Sequence, residues 1–196
     1  MSALAILGSG MRFGLVLMLA AMSWLMATRA GILFIAIEGA MVLSAFFGVY
    51  AAYATGSPWL GEAAAVVTGV IYCLAVGAVS AQARSRQVVF GIGANLFATG
   101  LASGLSSMLM NTHNVSLSIA RLPEIQLPFL GGAPVNLLVA AACMALAYGL
   151  MHCTGAGLRI MAAGENPDVA KDLGVAPYRY QLLAMAVAGV FAGLAG

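Results

Sequence analysis

Gly164-Glu165-Asn166-Pro167-Asp168-Val169-Ala170-Lys171-Asp172-Leu173-Gly174 is a polar island between long apolar runs, and its reading decides the fold. It spells one short capped helix. The Asn166 side-chain oxygen can accept from the first backbone amides, and Pro167 suits the first helical position because its missing N–H would be unpaired there anyway. Asp168 lies at the positive end of the helix dipole, and Gly174 supplies a left-handed stop. Between them are about two turns, roughly 10 Å at 1.5 Å per residue. Val169, Ala170 and Leu173 are expected on one side, with Asp168, Lys171 and Asp172 facing elsewhere. So small a helix is not stable alone. A membrane domain or a partner protein must hold it.

The rest of the chain supplies that membrane domain. Of its 196 residues 63% are hydrophobic and 7% charged, where a soluble domain carries about a quarter charged. The formal charge of +2 implies no nucleic-acid partner; where the charges lie matters more than their sum. An all-α, polytopic helical bundle follows, one domain over 1–196 with a cytoplasmic loop at 154–179. Apolar runs predict five full spans and the start of a sixth: Ala3 to Thr28, Ile32 to Tyr53, Ala63 to Ala81, Gln87 to Met110, Ala133 to Cys153, and Tyr180 to Gly196. The first is read as a span and not as a cleaved signal peptide, since no basic region precedes it and Arg12 lies within it. Thr55-Gly56-Ser57-Pro58 reads as a tight turn with Trp59 as an interfacial anchor. The last run reaches Gly196 with no polar cap, so the chain is expected to be the first part of a longer protein.

Arg29, Arg84, Arg86, Arg159, Lys171 and Arg179 fall in alternate loops, which makes those loops cytoplasmic and the long fourth loop, Asn111 to Gly132, external. The helix at Pro167 is then cytoplasmic. Cys73, Cys143 and Cys153 are odd in number and are expected as buried free thiols, with no disulfide framework and no metal spacing.

Few residues offer chemistry. No Gly-x-x-x-x-Gly-Lys-Ser/Thr loop occurs, so this sequence is not expected to bind ATP by the usual phosphate cradle, and energy for any transport must come from elsewhere. Glu38 lies well inside the second predicted span, where an isolated charge costs on the order of 2.5 to 3.5 kcal/mol. Two readings stand: a translocation-path residue, or a structural carboxylate paired with a backbone amide or with Arg29 and fixing a bend at Gly39. The structural one is favoured. Gln87 joins Glu38 and Gly39 as a polar candidate, and Asn95 either lines a path or bonds between helices. Pairs of small residues four apart, Gly100 with Gly104, Ser44 with Gly48 and Gly189 with Gly193, read as helix contacts. The twelve methionines read as flexible filler. His152 with Cys153 is too few ligands for a metal site. Ser103 with His152 would make an intramembrane serine hydrolase only if the two met, and the topology sets them toward opposite ends of their spans. Asn114-Val115-Ser116 is formally a glycosylation sequon.

Several blocks carry a family resemblance. Thr28-Arg29-Ala30-Gly31-Ile32-Leu33-Phe34-Ile35-Ala36-Ile37-Glu38-Gly39-Ala40-Met41 resembles a signature of permease subunits of ABC importers in the simple-sugar, nucleoside and branched-chain amino-acid group. Gln87-Val88-Val89-Phe90-Gly91-Ile92-Gly93-Ala94-Asn95-Leu96 is similar to a second block, Leu122-Pro123 to Gly131 to its outer loop, and Gly157-Leu158-Arg159 through Gly164-Glu165-Asn166-Pro167 to Leu173-Gly174 is the best match. The form Gly-Glu-Asn-Pro points to the nucleoside and simple-sugar branch, with branched-chain amino acids as the alternative. Phe34 stands where the family commonly has Asn.

The resemblance implies a transport subunit with no catalytic residue, no metal and no cofactor of its own, in a bacterial plasma membrane. ATP-Mg would be bound by partner ATPase subunits, beside a second permease chain, an extracytoplasmic substrate-binding protein and a small-molecule solute. Gly164, Glu165, Asn166, Pro167, Asp168, Lys171, Leu173 and Gly174 would form the segment that couples to the ATPase. A truncated subunit that does no work is the remaining alternative.

Overall fold

The computed structural model describes residues 3–82, 86–109, 124–125, 133–134 and 136–196. Eight helices follow in order among them: α1 (Ala3–Arg29), α2 (Ile37–Thr55), α3 (Pro58–Gln82), α4 (Gln87–Leu109), α5 (Asn136–Cys153), α6 (Gly155–Glu165), α7 (Pro167–Asp172) and α8 (Pro177–Ala195). Two-residue strands β1 (Glu124–Ile125) and β2 (Ala133–Pro134) pair antiparallel between α4 and α5. Arg84, the sequon at Asn114 and the fourth loop apart from Glu124–Ile125 lie outside the described residues.

α2, α3, α4 and α8 are each long and apolar enough to cross a membrane, and α5 with α6 makes a fifth candidate, bent by 75°. α1 adds 27 residues of helix. The bundle is organised around α8. Half of its most apolar stretch is buried inside the protein, against a third or less for the other three spanning helices. Gly69 on α3 meets Gly189 and Gly193 on α8 so closely that a Cβ on Gly189 would come within 2.6 Å of the Val70 Cα. Backbones approach this far only where side chains are absent. On its other side α8 shares a core with α1, α5 and α6, in which Leu19, Met26, Ile160 and Phe191 are buried. Ser23 of α1 donates to the Ala188 carbonyl of α8 across 2.8 Å. Phe13, Val89, Leu96, Met108 and Leu146 point outward, as apolar side chains do toward lipid.

Several expectations are corrected. The second span begins at Ile37, not Ile32, because residues 32–36 are not helical. Glu38 therefore lies in the first turn of α2, where the helix dipole favours an acid, and it is exposed. It makes no ion pair with Arg29 among the described residues, and Gly39 lies within the first turn of α2, after the unwound residues 32–36. The third span starts early: Gly56 takes φ +68° as the stop of α2, and Pro58 and Trp59 already belong to α3. Of the three thiols only Cys73 is buried; Cys143 is half-buried and Cys153 exposed. Ser44 and Gly48 do pack, with a Cβ on Gly48 landing 3.0 Å from the Ala65 Cβ, but Gly100 and Gly104 face open space. Their spacing alone says nothing about whether a partner helix lies opposite.

Candidate functional site

The stretch from Glu165 to Val175 folds as its chemistry requires. Asn166 Oδ1 accepts from the amides of Asp168 and Val169 at 3.2 and 3.3 Å, and Pro167 opens α7. At the far end Gly174, at φ +79°, donates to the Lys171 carbonyl, while Val175 donates to that of Ala170. These paired bonds close the helix in a left-handed glycine stop. Asn166 also ends α6, its amide bonding the Ala162 carbonyl, so α6 and α7 meet at one residue with no free linker.

The apolar side of α7 is not the one expected. Only Ala170 turns inward; Val169 and Leu173 are 51% and 76% exposed, alongside exposed Asp168, Lys171 and Asp172. Two large apolar side chains one turn apart, displayed outward from a rigid capped helix, form a surface that gains by burial against another protein. Each fully buried side chain of this size is worth roughly 1.5–3 kcal/mol.

α6, which the sequence reading treated as loop, carries α7. Thr154 caps it by accepting from the Gly157 amide. Gly157 lies so near the carbonyls of Leu150 and Met151 that no side chain fits there, which sets the sharp turn from α5. At the other end Gly164 is pressed against the last carbonyls of α1: a Cβ on it would strike the Arg29 oxygen, and one on Gly31 would lie 2.8 Å from the Gly164 oxygen. Gly164 is thus a seat for α6 on the end of α1 and does not itself face outward. Glu165 is exposed beside it.

α1 ends at that seat with the same device as α7. Gly31, at φ +76°, donates to the Thr28 carbonyl and Ile32 to that of Ala27. The Ala30 carbonyl accepts from Gln181 Nε2 of α8 at 3.2 Å. The chain then runs unwound to Ala36, inside a bundle where every backbone polar group needs a partner. Two carboxamides on α4 supply them. Gln87 Oε1 accepts from the Leu33 amide at 3.0 Å while its Nε2 donates to the Ser80 carbonyl. Asn95 Oδ1 accepts from the Gly39 amide at 2.7 Å, and its Nδ2 donates to the Ile35 carbonyl at 3.0 Å. Gly91 leaves room for Ile35, and Gly39 has the Tyr72 hydroxyl, Ala98 and Asn95 against it. Phe34 is fully buried with Ala27, Ile32 and Cys73, so this position packs where a polar residue would have made a contact.

Four of the residues singled out in the sequence thus fall in one place: Gly39, Gln87 and Asn95 around the unwound segment, and Gly164 against the end of α1 that precedes it. Glu38 is one residue from the cluster but turned to the surface. Asn166, Pro167, Asp168, Lys171, Leu173 and Gly174 form α7 and its caps, a separate element linked to the cluster through α6. Sequence reasoning missed Gln181, Ser80, Gly31 and the Tyr72 hydroxyl, which is buried with no hydrogen-bond partner among the described residues. Gln181 was legible as a lone amide in an apolar run; the others carry no mark apart from their neighbours. No hydrogen bond joins Ser103 to His152 among the described residues; the His152 ring stacks on Tyr148 at 4.3 Å.

The chain is 28% identical to a putative glucose ABC transporter permease protein of Haloferax volcanii, over 99% of this chain and 62% of that protein. It is 26% identical to the guanosine ABC transporter permease protein of Bacillus subtilis, over 92% and 62%, and 26% to a nucleoside ABC transporter permease protein of Lactococcus lactis, over 86% and 58%. The chain spans about three-fifths of the length of these relatives. No solved structure matches. A family model described as the permease component of branched-chain amino acid transport systems matches residues 6–196, and the chain belongs to that family of multi-pass membrane permeases.

Proposed function

We propose that this chain forms the membrane path of an ATP-driven importer for nucleosides or simple sugars, and that α7 is the element through which separate ATPase subunits drive it. The observation that carries this reading is the construction of α7. It is capped at both ends, shows Val169 and Leu173 outward, and belongs to a chain with no phosphate-binding loop. A helix of six residues held this firmly can act as a rigid lever.

The contacts inward from α7 supply a route for the motion. A push on α7 passes through Asn166 to α6, from Gly164 to the end of α1, and so to the unwound residues 31–36 that precede α2. Unwound segments of this kind flank binding sites in several transporter folds, and rocking of packed bundles about them gives alternating access. The carboxamides of Gln87 and Asn95 hold the segment in one of its two arrangements. Solute would reach the outer face from an extracytoplasmic binding protein, and a second permease chain would complete the cavity. The basic residues near α6, α7 and the start of α8 support a cytoplasmic position for that end, where ATP is available.

The solute class rests on the Gly164-Glu165-Asn166-Pro167 form and on the printed names of the relatives, which are sugar and nucleoside permeases. Branched-chain amino acids are the second reading, favoured by the description of the family model. The test is uptake by the full-length protein reconstituted with its ATPase and binding protein. Labelled guanosine or glucose should accumulate with ATP, and leucine should not compete. Competition by leucine and none by nucleoside or sugar would exchange the two readings.

A further inference from the structure

The end of the bundle that carries α7 also holds a basic cleft, which shares Leu173 and Gly174 with the coupling element but whose two arginines the coupling role does not use. It has a volume of about 490 Å³ and lies between α6, the turn after α7 and the start of α8, with Arg159, Arg179, Tyr180, Gly174, Leu173 and Leu183 in its wall. No carboxylate lines it among the described residues. The Arg159 guanidinium donates to the Tyr180 hydroxyl at 2.8 Å and lies 5.8 Å from the centre of that ring, which fixes its plane and leaves most of its five N–H donors unused. Arg179 makes no ion pair among the described residues.

Its position is unfavourable for a cation. Arg179 is in the first turn of α8, at the positive end of a 19-residue helix dipole, and that helix start has no side-chain cap and no acid. Two arginines and an uncapped helix start around one cavity are repelled unless an anion lies among them. The depth of the cleft identifies the anion. α8 spans about 28 Å at helical rise, so its first turn falls at the level of lipid headgroups, flanked by Tyr178 and Tyr180 as interfacial aromatics. Leu183, one turn deeper, continues the wall toward the hydrocarbon, and exposed Leu173 closes the outer side.

We propose that this cleft holds the phosphate of an anionic phospholipid, bound by Arg159 and Arg179 with the acyl chains running past Leu183. Planar guanidinium groups suit a phosphate, and basic pockets between spans on the cytoplasmic side are where such headgroups bind. The proposal depends on the chain crossing a membrane and not on which solute it moves. A lipid seated there would bridge α6 to α8 beside α7, making the lever stiffer in anionic bilayers.

The experiment is native mass spectrometry of the full-length protein titrated with phosphatidylglycerol or phosphatidylcholine, compared with Arg159→Gln, Arg179→Gln and, outside the cleft, Arg86→Gln. Phosphatidylglycerol should bind at least tenfold more tightly than phosphatidylcholine. Either cleft variant should lose most of that preference while Arg86→Gln keeps it, and inorganic phosphate at 100 mM should not displace the lipid. Equal binding of the two lipids, or unchanged preference in both cleft variants, overturns the proposal. Displacement by millimolar inorganic phosphate would reassign the cleft to a soluble phosphate. Loss of a copurifying ATPase with lipid binding intact would reassign it to a protein contact. Should one variant fail to fold, the upward shift in thermal midpoint that phosphatidylglycerol gives the wild type, absent in the other, decides the same question.

Discussion

Asn95 shows what one side chain contributes. It bonds both sides of the break before α2, to the Gly39 amide and the Ile35 carbonyl, at a part-buried position between α2 and α4. Leaving two such groups unpaired costs roughly 1–3 kcal/mol each. Asn95→Leu should therefore lower the thermal midpoint of the detergent-purified protein by several degrees. Glu38→Gln, three residues beyond Ile35 but exposed, should change stability by less than about 1 kcal/mol, the worth of a charge at a helix start. Equal effects of the two would mean that the unwound segment is not held by α4. Glycines divide in the same way. Gly164→Ala puts a methyl into the Arg29 carbonyl and should unseat α6, whereas Gly100→Ala meets nothing within 4 Å and should be silent or slightly stabilising, as Ala in a helix is favoured over Gly by up to about 1 kcal/mol. Melting curves of the two variants measure the contrast.

Among the elements, α7 and the break at residues 31–36 differ in how openly the sequence declares them. α7 was readable because its determinants are local: an Asn before a Pro, and a Gly at the end, all within nine residues. The break was not, because apolar residues run on from Ile32 through Ile37 and hydropathy does not distinguish helix from unwound chain. What unwinds it are carboxamides some 55 to 60 residues away on α4, and such pairings have no signature in a single sequence. α6 was hidden by its three glycines, which read as loop; two of them serve as points of close approach, Gly157 to α5 and Gly164 to α1. The outward turn of Val169 and Leu173 also depends on tertiary contact: one apolar residue of three can face in, and Ala170 fits the narrow space. At this scale the expected variant is Asn166→Gly with Pro167→Gly. It removes both capping acceptor bonds and the fixed first residue, at a cost of about 1 kcal/mol or more. Amide exchange in α7 should rise while α8 stays protected, and ATP hydrolysis by the assembled complex should continue with uptake reduced.

For the whole molecule, the buried position of α8 was the least legible feature. Its run of apolar residues resembles those of the outer spans, yet Gly189 and Gly193 bring it against α3 while Phe191 and Ala188 fill the core shared with α1 and α6. That the chain is a polytopic helical bundle was readable, because it depends on composition, whereas the predicted five full spans and part of a sixth become, among the described residues, four spanning helices and a bent fifth candidate, with the last run a full span. One end of the bundle carries Arg29, Arg159, Lys171 and Arg179 beside α6 and α7, which gives a topology test. A membrane-impermeant maleimide should label exposed Cys153 in inside-out vesicles and leave it unlabelled in right-side-out ones, with buried Cys73 unreactive in both. Labelling of Cys153 from the outer face would invert the orientation.

The central claim is that α7 is where an ATPase takes hold, and the most direct measurement is a cross-link. With Leu173→Cys in the full-length protein, coexpressed with its ATPase bearing single cysteines along its membrane-facing groove, oxidation should join the two chains in a yield that changes when ATP is bound. Cysteine at Met108, exposed in α4, should give no product. Absence of any Leu173 cross-link in a complex that still hydrolyses ATP and takes up solute would contradict the account.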